Sequence, residues 1–448
     1  MKNDSRNKEL YKNLGLRIIS DKEFHRLQDN VSDFYRIHNF SYFNPNFKFF
    51  SNYLKSYYTM NNSNKLYKLL KKTDRRGTSG YFFKSKIKSK NNTIFHKNVF
   101  VKEISIFNPN NIESYYETIN NSVCSPSINN QIISDIIYDP NEECNIELFI
   151  NYLVSKLKEL DISPHFCEYY GSYSVELDKF TFNITDDEEI LDNLEKITEN
   201  QDIPLNVIDK DGIYLEYSNV PVYLLITEKL NHDVSYLKEN NELTYNIIVS
   251  LTFQIFSAII TMNHIFGIKH NDLHFGNVML KNTKEKYLYY KVHNSYYKIP
   301  TYGYIICILD WGRSTYDFNG FTGKNSVYSA DRDCFQQYIF NKMNSRGLES
   351  LECNKNCWTD IVMISHSILS EFEEVLEDTE LKKLLVRNIT TSSNNKLDIE
   401  EFNWELYLKI TNYKFNINPN KLLTSHIFSK FKIKKKLTKN KCVYDLYF

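Results

Sequence analysis

Residues 269–282 read KHNDLHFGNVMLKN, with His270, Asn271, Asp272 and Asn277 standing just before the apolar run Val278-Met279-Leu280. An acid and two amides at the mouth of a buried strand mean either a solvated loop or a reactive one, and the flanking sequence decides between them. Upstream lies NIIVSLTFQIFSAIITMNHIFGI (246–268), long and apolar enough to pass for a membrane span. Its polar residues Asn246, Ser250, Gln254, Ser257 and Thr261 recur at helical spacing and form a stripe on one face. Lipid has no use for that stripe or for His264, so the segment predicts a mostly buried helix of a soluble lobe, ended by Gly267. Downstream, YIICILDWGRS (304–314) reads as a second buried strand that ends in Asp310-Trp311-Gly312.

Buried helix, polar loop, strand, and strand-Asp-x-Gly is an order that suits a divalent-metal phosphate site. In such a site one carboxylate, here Asp272, orients an attacking hydroxyl. An amide oxygen and a second carboxylate, here Asn277 and Asp310, hold Mg2+ on the phosphates. His270 is expected to support the loop through hydrogen bonds and to take no part in the chemistry.

HNDLHFGN matches the H-x-D-L-x-x-x-N catalytic loop of protein kinases, and Asp310-Trp311-Gly312 stands where they carry D-F-G. The run D-L-H-x-G-N-V-x-L, the Ile299-Pro300-x-x-Gly303 turn and the following I-x-D strand resemble the haspin-type atypical Ser/Thr kinases. Related kinase-like proteins of large DNA viruses look similar. The likeness is dense over 264–314 and thin elsewhere. It implies an α+β, bilobal protein-kinase-like fold, with a small antiparallel-sheet N-lobe holding one key helix and a mostly helical C-lobe. It also implies an ATP- and Mg2+-dependent Ser/Thr protein kinase. The expected division is a helical N-terminal extension (1–70), an N-lobe with insertions (71–230) and a C-lobe with a basic tail (231–448).

Further roles follow from the resemblance residue by residue. In RRGTSGYFFKSKIK (75–88), Gly77-x-x-Gly80 resembles the second half of a phosphate-capping glycine loop, with Arg75 where the first glycine would stand. Lys102, in NVFVKEISIF (98–107), resembles the strand lysine that binds the α and β phosphates. Its expected partner lies on a helix read from EECNIELFINYLVSKLKELDISPHF (142–166), with Glu147 the first choice and Glu143 the alternative. Ser163-Pro164-His165 resembles the turn that leaves this helix. Strands are expected at 169–177 and 220–230, separated by an acidic inserted helix and loop at 183–202. The second strand resembles the one leading to a kinase hinge. That makes Thr227 the gatekeeper and gives Glu228 and Leu230 the adenine contacts. A helix at 329–340 would support the catalytic loop through Asp331 or Asp333, and 330–448 reads as helices throughout.

Lysine plus arginine equals aspartate plus glutamate, 55 against 55, so no global field draws the chain to nucleic acid or membrane, and neither is an expected partner. The implied partner is a protein substrate with a Ser or Thr hydroxyl, with chromatin or another basic protein as the candidate class. The N-terminus MKNDSRNKELYKNLG lacks an apolar h-region. The eight cysteines are scattered, and the lone Cys353-x3-Cys357 makes a poor zinc site. Both features suit an intracellular protein, cytoplasmic or nuclear, and a host cell or virion if the source is viral. The Lys/Asn/Ile bias, which suggests an AT-rich genome, suits such a source. The basic tail FKIKKKLTKNK (431–441) reads as a solvated face, with a nuclear signal or an anionic partner as the alternative. The short stretch from Gly312 to Asp331, without Ala-Pro-Glu, suggests constitutive activity. Two other readings stay open. His274, two places after Asp272, also resembles the loop of aminoglycoside- and choline-type kinases of small hydroxyl compounds. The third reading is a catalytically inactive kinase-fold scaffold, against which the presence of base, metal ligands and lysine all argue.

Overall fold

The computed structural model describes residues 10, 12, 14–42, 57–77, 80–106, 139–185, 191, 205–209, 212–318, 321–329, 334–335, 337, 339–343, 349–353, 358–434 and 442–446. Contacts divide the chain into a sheet unit, residues 12–148 with 169–229, and a loop unit, residues 1–11 with 149–168 and 230–448.

In the sheet unit, β1 (Leu16–Ile19) is followed by helix α1 (Asp21–Ser32), β2 (Ile37–Tyr42) and β3 (Tyr57–Met60), and β1 pairs with β3. Then come β4 (Asn64–Gly77), β5 (Gly80–Ser89), β6 (Ile94–Ser105), helix α2 (Glu143–Glu159), which starts in this unit and belongs to the loop unit from Phe149 on, β7 (Tyr169–Asn183), β8 (Leu205–Asp209) and β9 (Ile213–Glu228). A seven-stranded antiparallel sheet runs in the order β2-β7-β9-β6-β5-β4, with β8 added to the first half of β9. Alternation builds it: Phe83, Ser85 and Ile87 of β5 are buried while Lys84 faces out. The turn from β5 to β6 is closed by Asn92 at φ 63°, a residue type that tolerates the left-handed region. The exposed edge strand β4 is covered by α1. Asn30 of that helix accepts from Leu69 N (2.7 Å) and donates to Leu69 O (3.0 Å), taking the place of a neighbouring strand.

In the loop unit, β10 (His232–Asp233), helix α3 (Ser235–Glu239) and helix α4 (Tyr245–Phe266) precede β11 (Val278–Asn282), β12 (Tyr287–Val292), β13 (Ser295–Pro300) and β14 (Tyr304–Ile308). Two hairpins follow, β15 (Tyr316–Phe318) with β16 (Phe321–Gly323), and β17 (Ile339–Met343) with β18 (Glu349–Cys353). Helices α5 (Thr359–Leu376), α6 (Glu380–Asn388), α7 (Trp404–Asn412) and α8 (Pro419–Leu422) lead to β19 (Lys432–Ile433) and β20 (Tyr444–Leu446). The strands assemble as β10-β11-β14 and as β19-β13-β12-β20. Helix α4 is long and apolar enough to cross a membrane, and nearly all of it is buried inside the protein. Its polar stripe is spent on neighbours. Ser250 donates to the Pro300 carbonyl, and Gln254 Oε1 accepts from Ile306 N (3.1 Å). Ser257 and Thr261 donate back to carbonyls of the helix itself. Gly267 closes the helix at φ +60°, where a Cβ would lie 2.3 Å from Asp317 O.

Several expectations are corrected here. The described residues of 1–70 do not form a helical extension: α1 is flanked by β1, β2, β3 and the first residues of β4, so residue 70 lies inside a strand. Tyr, Phe and Ile favour pleated pairing, and β2 finds its partner in β7, far along the chain. Of the helix expected at 329–340, the described residues show none: 334–335 form a turn and Ile339–Met343 is a strand paired with β18. Asp331 and Asp333 lie outside the described residues, as do Cys357, most of 183–202 and most of the basic tail. The second half of the chain is thus mixed, with short sheets and hairpins among its helices.

Candidate active site

The loop 268–277 is held from three sides, all within the loop unit. Asp360, in the first turn of α5 and 2% exposed, accepts from His270 N and Asn271 N, both at 2.8 Å. Burial raises its carboxyl above the usual range, and the His270 charge and the two amide bonds pull it back. The His270 ring donates from Nε2 to the Leu309 carbonyl (2.7 Å) and lies 4.9 Å from the Trp311 ring. A carbonyl can only accept, so that nitrogen carries the hydrogen. Asn271 takes φ 65° and donates to the Arg313 carbonyl (3.2 Å) and to Thr315 Oγ1 (3.3 Å).

Asp272 projects from this braced loop. Its Oδ1 accepts from Tyr407 Oη (2.5 Å) and from Arg313 Nη1 (3.3 Å). Burial and the Asp272 charge push the Tyr407 hydroxyl well above its usual range. For Arg313, burial alone would pull the guanidinium down, but Asp272 and its other neighbours outweigh that and hold it firmly charged. Asn277 donates from Nδ2 to the Asp272 carbonyl (2.8 Å), which leaves its Oδ1 as the oxygen it can offer. Asp310 follows β14 at φ 63° and is exposed, in the loop just past the β11–β14 pairing. Leu309 N donates to the Asn277 carbonyl (3.0 Å), so Asn277 and Asp310 come at neighbouring strand ends. An amide oxygen and a carboxylate so placed are hard oxygen donors that suit Mg2+. Trp311 is buried against Phe166 and His270.

Within the sheet unit, Lys102 of β6 stands opposite Gly80 and Leu225 and reaches Glu147 of α2, Nζ to Oε1 2.6 Å. The glutamate side chain is 7% exposed. Of the two candidates for this contact, the structure selects Glu147. Gly77 and Gly80 pair across the end of the β4–β5 hairpin, with 78–79 outside the described residues. A Cβ on Gly80 would meet Val101 O at 2.1 Å, so close strand approach alone demands glycine there. Thr227 and Glu228 are buried at the end of β9, where Lys97 lies 3.5 Å from Glu228. Leu230 falls in the loop unit and packs with Cys167 and Cys307.

Asp360, Arg313 and Tyr407 were absent from the candidates read in the sequence. Arg313 directly follows Asp310-Trp311-Gly312, and Asp360 is an acid at the head of an apolar helix, both visible signals. Tyr407 carries no local mark at all.

No family model matches the chain. Over 115 residues it is 29% identical to Serine/threonine-protein kinase haspin of Mus musculus, covering 24% of this chain and 14% of that protein. The haspin of Bos taurus is 31% identical over 109 residues, with the same coverage of each. Uncharacterized protein 098R of Invertebrate iridescent virus 6 is 36% identical over 89 residues, 19% of this chain and 14% of that one. The chain resembles the haspin-type serine/threonine kinases. The matched stretch spans only 14% of the length of each relative, and within that limit the likeness supports a kinase-type function.

Proposed function

We propose that this protein is an ATP- and Mg2+-dependent protein kinase acting on Ser or Thr hydroxyls, with the sheet unit as its N-lobe and the loop unit as its C-lobe. The observation that carries the reading is the braced loop. Asp360 and the His270–Leu309 bond brace the loop, Asn277 bonds to the Asp272 carbonyl, and the Asn277 carbonyl accepts from Leu309 N, one residue before Asp310. Asp272 orients the substrate hydroxyl and takes its proton as that oxygen bonds to the γ-phosphorus and the bond to the β-phosphate oxygen breaks, releasing ADP. Asn277 and Asp310 are the oxygen ligands for Mg2+, which when bound neutralises charge on the phosphates. Lys102, positioned by Glu147, binds the α and β phosphates, while Gly77 and Gly80 cap them. Thr227, Glu228 and Leu230 serve the adenine. The resemblance favours a protein substrate, with a basic or chromatin protein as the class to try first.

Incubation with labelled ATP, Mg2+, histones, generic proteins and small alcohols tests the reading. Label on protein is expected, and Asp272→Ala should lower it about a hundredfold or more. Label on small alcohols alone would shift the assignment to an aminoglycoside- or choline-type kinase. No transfer to any acceptor would leave a scaffold.

A further inference from the structure

The overall charge balance conceals a dense basic face on the β4–β5 hairpin. Residues 64–90 hold eight lysines and two arginines against one acid, Asp74. Register concentrates them. Lys65 stands opposite Lys88, Lys68 opposite Lys86, and Lys71 opposite Lys84. In β4 these lysines are three apart in sequence, a spacing that simple alternation would split between two faces. Register shifts between Leu66 and Lys68 and between Leu69 and Lys71 restore them to one side. The other side buries Leu66 against Ile87 and Leu69 against Ser85, which locks the ladder in place. On β6, exposed His96 lies opposite Lys86.

Like charges directly opposite across strands destabilise a sheet. Glu23 of α1 neutralises Lys65 at one end (2.6 Å), and among the described residues Lys68, Lys71, Lys84, Lys86 and Lys88 have no ion pair. A folded chain that keeps three such rungs in register carries a cost that an anionic partner would relieve. From this ladder we infer that the outer face of β4 and β5 binds the phosphate backbone of a nucleic acid, a role beyond the kinase reading and independent of it.

The spacing favours this partner over other anions. Lysines two apart on a strand recur about every 6.6–6.8 Å. That regular array of point charges suits a polymer of repeating single charges better than the irregular acids of a folded protein. Lysine holds phosphate as a point charge, and although exposed Asn98 stands opposite Lys84 on the same face, the six lysines dominate it, so binding should be largely independent of sequence. A membrane surface would need an apolar patch to insert. The exposed apolar residues of these strands, Leu70 and Ile94, sit at opposite ends of the ladder.

The test is fluorescence anisotropy of the full chain with a short labelled DNA duplex of arbitrary sequence, over a salt series. Binding that weakens with salt is expected. Lys84→Glu, Lys86→Glu and Lys88→Glu together should weaken it at least tenfold. They should also reduce the log–log salt slope by about 2.7, three contacts at about 0.9 each. Each new glutamate faces a lysine of β4, so the melting temperature should hold or rise, which separates lost binding from lost folding. The neutral version, with glutamine at the same three positions, should show a smaller loss in the same direction. Asp272→Ala should bind as the wild type does, so failure of the catalytic assignment leaves this result readable. The proposal is overturned if the duplex does not bind at low salt or if the triple variant binds it unchanged. Equal or tighter binding of phosphatidylserine vesicles or polyglutamate, lost in the same variant, overturns it too by making the partner a membrane or an acidic protein.

Discussion

Asp272 receives two donors on one oxygen: Tyr407 and Arg313 both reach Oδ1, and among the described residues Oδ2 has no partner. Fixing one oxygen aims the other at a substrate hydroxyl, so Tyr407 is a positioning residue of the proposed base. A hydrogen bond to a charged group is worth roughly 1.5–3 kcal/mol. Tyr407→Phe should therefore lower kcat about tenfold while KM for ATP and Mg2+-ATP stabilisation stay unchanged. An unaltered kcat in steady-state assays would remove Tyr407 from this role. The contact between Lys102 and Glu147 gives a second prediction. Lys102→Met keeps length and apolar stem but loses the point charge, so transfer should nearly vanish while circular dichroism shows the fold intact. Glu147→Gln should give a smaller loss, and Glu143→Gln none, in the same assay. The acid, the amides and the lysine were legible because each belongs to a local pattern of spacing. Glu147 was separable from Glu143 only by the distance across the fold. Tyr407, 135 residues from Asp272, was not legible at all.

Elements show the same division. The stripe on α4 could be read from its spacing as polar and inward, yet its partners at Pro300 and Ile306 are known only from the packed strands. His165, in the turn after α2, is a sharper case. Its Nδ1 donates to the Ile306 carbonyl (3.2 Å), and Tyr290 Oη donates to its Nε2 (2.6 Å), so the neutral ring ties this turn to β12 and β14. Burial lowers its pKa from 6.5 to about 3. The unfolded chain thus binds a proton that the folded chain refuses between those values. The stabilisation is complete above pH 6.5 and is lost progressively as pH falls toward 3, by about 1.4 kcal/mol per unit. Chemical denaturation across that window should show the slope, and His165→Gln should flatten it by about that amount. A His165→Gln slope equal to the wild type would mean that other groups carry the acid sensitivity.

At the scale of the whole molecule, ligand binding must register as stability if the chain is an ATP-dependent enzyme. Thermal-shift titration should show ATP raising the melting temperature more with Mg2+ than without it. Asp310→Asn should erase that metal-dependent increment and leave the metal-free response, because a neutral amide is a poorer ligand for a hard dication. No metal-dependent increment in the wild type would favour the scaffold reading. Charge is the property in which whole and part diverge most. A balance of 55 against 55 argued against nucleic acid, and strand register then gathered the β4 and β5 lysines onto one face. By itself the sequence determined the polar loop, the buried helix before it, the Asp310 strand end and the likeness to haspin-type kinases. All of these are patterns within short spans, where spacing dictates which side chains share a face. Tertiary structure alone decided that Asp360 braces the loop, that Glu147 meets Lys102, that residues 16–77 supply strands, and that lysines three apart align across two bulges. Those outcomes depend on which distant segments pair, and pairing is selected by packing over the whole chain, which no local period encodes.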